Sequence, residues 1–148
     1  MTIRKATVLG AGVMGSQIAA LLVNAGLKVE LLDVVIDQED KNKLSKQGYD
    51  RITNPKGSQL YDDSFTGNLT YGNFDDNLKD PSDSDIFIEA VKEDIKIKHD
   101  IWSKIAKVAK EDAILATNTS GIPINKIAEV LSDEDKKYLK SLSKTRTI

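Results

Sequence analysis

Short apolar runs alternate with longer amphipathic stretches over most of this chain. The runs predict strands at residues 3–9, 28–33, 85–91 and 113–117, with a shorter strand at 69–71. The run at 85–91 is almost continuously apolar, which is typical of a parallel strand covered on both faces. The intervening stretches predict helices at 13–25, 94–110 and 123–131, and a polar, lysine-rich helix at 40–52. This alternation predicts an α/β fold with a doubly wound, mostly parallel sheet.

The apolar positions of two predicted helices indicate which of their faces is buried. In the helix at 13–25 these positions are Val13, Ile18, Leu21 and Leu22. In the helix at 94–110 they are Ile95, Trp102, Ile105, Ala106 and Val108. Between the elements, Asn54-Pro55-Lys56-Gly57 breaks the chain, and the turn signals at 60–68 predict a loop.

Composition narrows the class of protein. A chain of 148 residues with 40% hydrophobic and 30% charged residues is the size and type of one globular domain. The net charge of −2 argues against a general nucleic-acid binder. No cysteine is present, which excludes disulfides and cysteine-ligated zinc and fits the reducing cytoplasm, where we expect the protein. We see no metal cluster, and no run approaches the roughly 18 apolar residues of a membrane span.

The strongest motif is Gly10-Ala11-Gly12-Val13-Met14-Gly15, a G-x-G-x-x-G that follows a predicted strand and opens a predicted helix. In this context Gly10 permits a tight turn, Gly12 lets a pyrophosphate approach the backbone, and Gly15 lets the helix and strand pack closely. The pyrophosphate then lies on the backbone N–H groups at the positive end of the helix dipole. The motif therefore predicts a Rossmann-type dinucleotide-binding domain.

Asp33 ends the second predicted strand, where a carboxylate can accept hydrogen bonds from the adenosine ribose. Its charge repels a 2′-phosphate, so NAD is favoured over NADP as the cofactor. FAD is a rival ligand for the same fingerprint, and an NADP protein is a further alternative. Structural glycines followed by a surface aspartate remain the alternative without any ligand.

Three strings occur in order along the chain: VLGAGVMGSQIA, EAVKEDIKIK and ATNTSGIPI. Together they resemble the N-terminal domain of 3-hydroxyacyl-CoA dehydrogenases, from about residue 3 to 131. Other β-hydroxyacid dehydrogenases share the glycine turn but not the other two strings. The resemblance implies an NAD-binding domain at 1–131, followed by a charged segment at 132–148 that is either a disordered tail or the truncated remainder of the domain.

The same resemblance implies roles for individual residues. The ADP half of NAD would be held by the glycine turn with Val13 and Met14, and by Asp33. The apolar wall beside the cofactor would come from Ala90 and Val91, and the contacts to the nicotinamide-side ribose from Glu93 and Lys98. An exposed pair at the start of a helix is the alternative interpretation of Glu93 and Lys98.

Asn118 and Ser120 follow the predicted strand at 113–117. In the family the serine bonds the 3-hydroxyl of the substrate and the asparagine frames the nicotinamide, so both are candidates for orienting the reaction. Helix capping is the alternative, because serine and asparagine are ordinary N-cap residues. Both roles can coexist.

The family's reaction oxidises 3-hydroxyacyl-CoA to 3-oxoacyl-CoA in fatty-acid β-oxidation, with a histidine as general base in an H-F-F-N-P-like string. Here the corresponding region reads SLSKTRTI, and the only histidine is His99, whose charged neighbours indicate a solvated face. We therefore expect the parent enzyme to act on acyl-CoA and this chain alone to be inactive. A non-catalytic NAD-binding or interaction module, or another NAD(P)-dependent β-hydroxyacid dehydrogenase, is the alternative function.

Two surface features extend these expectations. Lysines at 41, 43, 46 and 56 suit either the phosphates of coenzyme A or a solvated helix face. A missing next strand and a missing C-terminal domain would leave apolar surface uncovered, so we expect self-association.

Overall fold

The computed structural model describes residues 2–78, 82–134 and 136, together with the backbone of 139–141. Its strands are β1 (Lys5–Leu9), β2 (Lys28–Asp33), β3 (Leu69–Asn73), β4 (Ile86–Glu89), β5 (Ile114–Thr117) and β6 (Leu139–Ser141). Its α-helices are α1 (Val13–Asn24), α2 (Lys43–Thr53), α3 (Phe74–Asn77), α4 (Ile95–Val108) and α5 (Ile124–Ile127). Two 3₁₀ segments, Asp63–Asn68 and Ala128–Val130, complete the described elements.

The strands form one sheet in the order β3-β2-β1-β4-β5-β6, and every neighbouring pair is parallel. The chain runs outward from β1 to β3, then crosses back and builds the other half from β4. The order therefore reverses between β1 and β4, and ligands of open α/β sheets bind at the carboxyl ends of the strands beside such a reversal. The predicted doubly wound, parallel α/β fold is confirmed.

Each side of the sheet has its own core. Ala6 and Val8 of β1 pack on the side of α1 and α2, whereas Leu9 packs with α4 and α5 on the other side. In β2, Leu31 and Leu32 divide in the same way. Successive side chains of a strand point to opposite faces, so a strand that is apolar at both kinds of position needs helices on both sides.

The predicted buried face of α1 is wrong. Val13 and Leu21 are 63% and 64% exposed, and the buried positions are Gly15, Ser16, Ala19, Ala20 and Val23. The reason is the close packing of α1 against the glycine turn, where a Cβ atom on Gly15 would lie 1.7 Å from the carbonyl oxygen of Gly10, so this face is formed mainly by small side chains. Ile18 and Leu22 pack only at the edge of the core. On α4, burial of Trp102, Ile105 and Val108 is as predicted, but the helix also buries Ile101 and Lys98.

The segment beyond residue 131 contributes a strand that the sequence pattern did not predict. Leu139–Ser141 pairs in parallel with β5, with Ala116 opposite Lys140. The expectation that the strand next to β5 is missing is therefore wrong, since backbone pairing does not require an apolar pattern at an edge. Residues 142–148 lie outside the described part of the chain.

No helix within the described residues has the length and apolarity to cross a membrane.

Asp85, just before β4, gives a testable pH dependence of stability. Its carboxylate accepts hydrogen bonds from the Lys110 ammonium and from the backbone N–H groups of Arg4 (2.8 Å) and Lys5 (3.0 Å). These bonds, that of Lys110 foremost, lower the pKa of Asp85 from 3.8 to about 2. A carboxyl group with a lowered pKa in the folded state stabilises the fold above its unfolded pKa, and this contribution disappears as the pH falls towards 2.

We therefore expect Asp85→Asn to lower the free energy of unfolding at neutral pH by about 1–2 kcal/mol. The difference from the wild type should shrink between about pH 4 and pH 2, because the carboxyl group of the unfolded state binds a proton below its pKa of 3.8, whereas that of the folded state does so only near pH 2. Urea unfolding of both proteins at a series of pH values measures this difference in the free energy of unfolding. A difference that stays constant down to pH 2 would contradict the assigned pKa.

Candidate dinucleotide-binding site

The glycine turn between β1 and α1 lies directly against the end of β4. Gly10 has φ +107°, in the left-handed region that favours glycine, as its predicted role in a tight turn requires. A Cβ atom at this position would lie 2.6 Å from the carbonyl oxygen of Ala90. The turn is thus closed on the sheet side by the backbone of the next strand, so a ligand has to approach from the carboxyl edge.

Gly15 and Gly12 differ in what surrounds them. A Cβ atom on Gly15 would lie 1.7 Å from the carbonyl oxygen of Gly10, so glycine is required for α1 to pack against the turn. A Cβ atom on Gly12 would have no heavy atom within 4 Å. Gly12 is the N-cap of α1, and no side chain caps this end of the helix. Open space next to an uncapped helix N-terminus fits a bound pyrophosphate.

Asp33 reaches from the end of β2 to the glycine turn. Its Oδ2 accepts a hydrogen bond from the N–H of Ala11 (2.7 Å) and its Oδ1 from the N–H of Val34 (2.7 Å). Burial raises the pKa of Asp33 above its ordinary value, while the two N–H groups act in the opposite direction. These two hydrogen bonds fix the carboxylate beside the glycine turn, where the sequence predicts that the adenosine ribose binds.

A cavity of about 450 Å³ lies at the carboxyl edge of the sheet beside these groups. Five predicted cofactor residues line it: Gly10, Gly12, Asp33, Ala90 and Val91. Residues that sequence reasoning missed complete the lining: Ala11, Val34, Leu44, Gln47, Arg51, Phe74, Lys92, Ile97 and Ile101. Predicted positions outside the cavity lining are Val13, Met14, Gly15, Glu93, Lys98, Asn118 and Ser120.

One wall of the cavity is helix α2, for which the sequence predicted no role beyond its lysines. Leu44, Gln47 and Arg51 are spaced three and four residues apart and so share a helix face. That spacing is the one signal that could have identified them. The helix comes close because Gly48 faces the turn, where a Cβ atom would lie 2.8 Å from the carbonyl oxygen of Ala11.

Val13 and Met14 lie on the first turn of α1, next to Gly12. They are 63% and 53% exposed. Exposed apolar side chains at this position are available to a ligand or to a covering domain. Their assignment to the ADP half of the cofactor stays a prediction.

Glu93 links the loop after β4 to the loop after β5. Its carboxylate accepts a hydrogen bond from the hydroxyl of Thr119, next to Ser120. Partial burial works against the charged form, but the Thr119 hydroxyl, the charge of Lys98 and backbone N–H groups hold the pKa of Glu93 below its ordinary value. The structure therefore brings Glu93 and the Asn118–Ser120 segment together at the carboxyl edge of the sheet.

Lys98 does not belong to an exposed pair with Glu93, so that alternative interpretation is wrong for Lys98. Its side chain is fully buried, and its Nζ donates to Oε2 of Glu89 at 2.8 Å. The other oxygen of Glu89 accepts from the Thr117 hydroxyl at 3.0 Å, and the N–H of Val91 donates to Oε2 at 3.3 Å. The face of α4 that carries Lys98 is turned towards the sheet, where Glu89 neutralises it. A contact between Lys98 and the cofactor stays a prediction.

Asn118 and Ser120 do not cap the following helix. The N-cap of α5 is Pro123, without a side-chain cap, because the helix begins only at Ile124. Asn118 is partly buried and its N–H donates to the carbonyl oxygen of Glu89 at 2.8 Å, while Ser120 is exposed. The capping interpretation is thereby excluded, and the roles of Asn118 and Ser120 in orienting the reaction stay a prediction.

The remaining candidates lie on the surface. His99 contacts the carbonyl oxygen of Lys126 through Nε2 at 2.5 Å and does not line the cavity. Three of the four lysines considered for coenzyme A form ion pairs: Lys41 with Asp76, Lys43 with Asp37 and Lys46 with Asp50.

A parallel sheet with the order 3-2-1-4-5-6, a glycine turn that opens a helix, and an acid at the end of β2 define a Rossmann-type dinucleotide-binding domain. Residues 5–140 match the family described as 3-hydroxyacyl-CoA dehydrogenase, NAD binding domain. The chain belongs to this family, and NAD is its cofactor, which resolves the alternatives of NADP and FAD.

Individual relatives agree with this family. A probable 3-hydroxyacyl-CoA dehydrogenase of Deinococcus radiodurans is 43% identical over 135 residues, which is 90% of this chain and 39% of that protein. A putative fatty acid oxidation complex trifunctional enzyme of Rickettsia felis is 40% identical over 90% of this chain and 19% of that protein. The crystal structure of FadB2 from Mycobacterium tuberculosis has a TM-score of 0.79 and 31% identity, covering 95% of this chain and 49% of that one. This chain thus spans less than half the length of each.

Proposed function

We propose that this chain is the cofactor-binding part of an NAD-dependent 3-hydroxyacyl-CoA dehydrogenase, which oxidises 3-hydroxyacyl-CoA to 3-oxoacyl-CoA in fatty-acid β-oxidation. The observation that carries the proposal is that the glycine turn, Asp33 and the Glu93–Thr119 hydrogen bond all lie at the carboxyl edge of one parallel sheet. Support comes also from the names of relatives that match most of the chain.

The residues at the carboxyl edge of the sheet bind different parts of the cofactor and substrate. Gly12 and the N–H groups of the first turn of α1 bind the pyrophosphate, and Asp33 accepts hydrogen bonds from the adenosine ribose. Glu93, in the loop after β4, binds the nicotinamide-side ribose. The cofactor, when bound, supplies a hydride acceptor. The exposed hydroxyl of Ser120 donates a hydrogen bond to the 3-oxygen of the substrate and so orients it.

The proton of the substrate hydroxyl needs a general base, which has to lie within hydrogen-bond reach of it. The one histidine of the chain, His99, is engaged with the carbonyl oxygen of Lys126 on the outside of α4. We therefore propose that this chain binds the cofactor and orients the substrate, and that the base comes from outside it.

Titration with NADH tests this function. Trp102 is the only tryptophan and lies in α4, whose Ile101 lines the cavity, so energy transfer from its indole to bound NADH reports binding. We expect saturable binding with a Kd in the micromolar to millimolar range, and no NADH oxidation when acetoacetyl-CoA is added. Absence of NADH binding would overturn the proposal, and turnover by this chain alone would mean that the base lies within it.

The reading frame that surrounds this sequence separates the enzyme from a non-catalytic NAD-binding module. An H-x-x-N-P string after the segment at 132–148, followed by a helical domain, is expected for the enzyme. We place the parent enzyme in the cytoplasm with acyl-CoA as its substrate, and we propose that the chain associates with itself or with a further domain. The trifunctional name of the Rickettsia felis relative supports a multidomain arrangement.

A further inference from the structure

Arg51 brings a positive charge to the glycine turn, although the turn itself contains no basic side chain. The residue lies in the last turn of α2 and lines the cavity. Its Nη1 donates to the carbonyl oxygen of Ala11 (3.2 Å) and to Oγ of Ser16 (3.0 Å). Both bonds use Nη1, and no described residue accepts from Nη2 or Nε. The guanidinium is thus anchored on the turn and keeps donors for a ligand.

Among the described residues, no acid forms an ion pair with Arg51. In the described part of the chain, no carboxylate lies within the 4.0 Å of an ion pair with Arg51, whereas Lys43 and Lys46 of the same helix pair with Asp37 and Asp50. Arg51 is also exposed. An exposed guanidinium on the wall of a nucleotide site, without an acidic partner, is a group suited to a phosphate.

Ala11 connects this cation to Asp33. The N–H of Ala11 donates to the Asp33 carboxylate, while its carbonyl oxygen accepts from Arg51. The acid and the guanidinium therefore flank one residue at the adenosine end of the cavity. In dinucleotide-binding domains an acid at the end of β2 binds the ribose 2′-hydroxyl of NAD, and a nearby arginine accommodates the 2′-phosphate of NADP. This site holds one group of each kind.

We propose that Arg51 is a second determinant of cofactor specificity: Asp33 excludes a 2′-phosphate, and Arg51 binds it once the carboxylate charge is removed. The proposal rests on the dinucleotide-binding function above. On this proposal the exclusion of NADP depends on the negative charge of Asp33, because Arg51 already supplies a cation that can bind the 2′-phosphate.

The test compares the Kd values of NADH and NADPH for the wild type, Asp33→Asn, Arg51→Gln and the double variant, by energy transfer from Trp102. We expect Asp33→Asn to strengthen NADPH binding about tenfold or more, since a repulsive charge is removed beside a cation. The double variant should lose that gain. Arg51→Gln should cost NADH less affinity than it costs NADPH in the Asp33→Asn background, because only NADPH carries the 2′-phosphate.

Arg4→Gln is the matched control, because it makes the same substitution at the amino-terminal edge of the sheet, away from the cavity. It should leave both Kd values unchanged. Thermal unfolding of each variant reports folding. Arg51→Lys provides the test if Arg51→Gln does not fold: it keeps the charge but not the planar fork, so it should retain only part of the NADPH affinity of Asp33→Asn.

A gain in NADPH affinity that persists in the double variant would overturn the proposal. An equal loss of NADH and NADPH affinity with Arg51→Gln would also overturn it, since Arg51 would then only position the glycine turn. If the wild type binds NADH and these outcomes occur, the dinucleotide-binding function stands and only the specificity role of Arg51 fails. If neither the wild type nor any variant binds either cofactor, the function itself fails and the specificity role with it.

Discussion

Gly15→Ala is expected to lose about 3 kcal/mol or more of the free energy of unfolding, and NAD binding with it. The added methyl group would lie 1.7 Å from the carbonyl oxygen of Gly10 and 2.8 Å from its carbonyl carbon. Both atoms are backbone, so no flexible side chain can move aside. Either α1 has to leave the sheet or the glycine turn has to change its shape, and each of these destroys the pyrophosphate site.

Gly12→Ala is the matched control for this prediction. No heavy atom lies within 4 Å of the added Cβ, so the free energy of unfolding should change by less than about 1 kcal/mol. NADH binding should nevertheless be lost, because the methyl group lies where the pyrophosphate has to approach the backbone. Urea unfolding followed by Trp102 fluorescence and NADH titration measure the two effects separately. A Gly15→Ala protein as stable as the wild type would contradict the close packing of α1.

Lys98→Met is expected to lower the free energy of unfolding by about 3–5 kcal/mol, because it leaves the buried carboxylate of Glu89 without its counter-charge. Both side chains are fully buried and joined at 2.8 Å. Cofactor binding should weaken as well, since Glu89 also accepts the N–H of Val91, which lines the cavity. The pair thus joins α4 to the strand end that forms the cofactor wall.

A second substitution tests this explanation. Glu89→Gln combined with Lys98→Met removes both charges and keeps an acceptor for Val91 and a partner for Thr117, so it should recover much of the loss. Lys104→Met, on the exposed face of α4 and paired with Asp100 at 3.0 Å, is the surface control and should cost less than about 1 kcal/mol. If Lys98→Met proves as mild as Lys104→Met, the buried pair does not carry the stability assigned to it.

The part of the site that could be predicted from the sequence is the part built within one local segment. The glycine turn, the helix it opens and the acid at the end of the next strand lie within residues 5–33, and their spacing reflects their geometry directly. The strand and helix positions of 86–117 were predicted for the same reason, since apolar periodicity is a local property.

The part that could not be predicted depends on contacts between segments distant in the sequence. Arg51 reaches Ala11 across 40 positions, and Glu93 reaches Thr119 across 26. A lysine in an amphipathic helix is expected to face solvent. Lys98 is buried because Glu89, on a neighbouring strand, neutralises its charge. The large apolar residues of α1 indicated the wrong face because the pattern does not contain the distance between helix and sheet.

By itself, the sequence determined the fold class, a dinucleotide as the ligand and the residues of the glycine turn, because each follows from local spacing and from the conformational freedom of glycine. Only the tertiary structure decided that α2 forms a wall of the cofactor cavity, that Lys98 is neutralised by Glu89, and that Arg51 and Asp33 share one end of the site. These features are pairings of charges and backbone groups between separate elements. Their energies depend on distance and burial, which the linear order of residues does not contain.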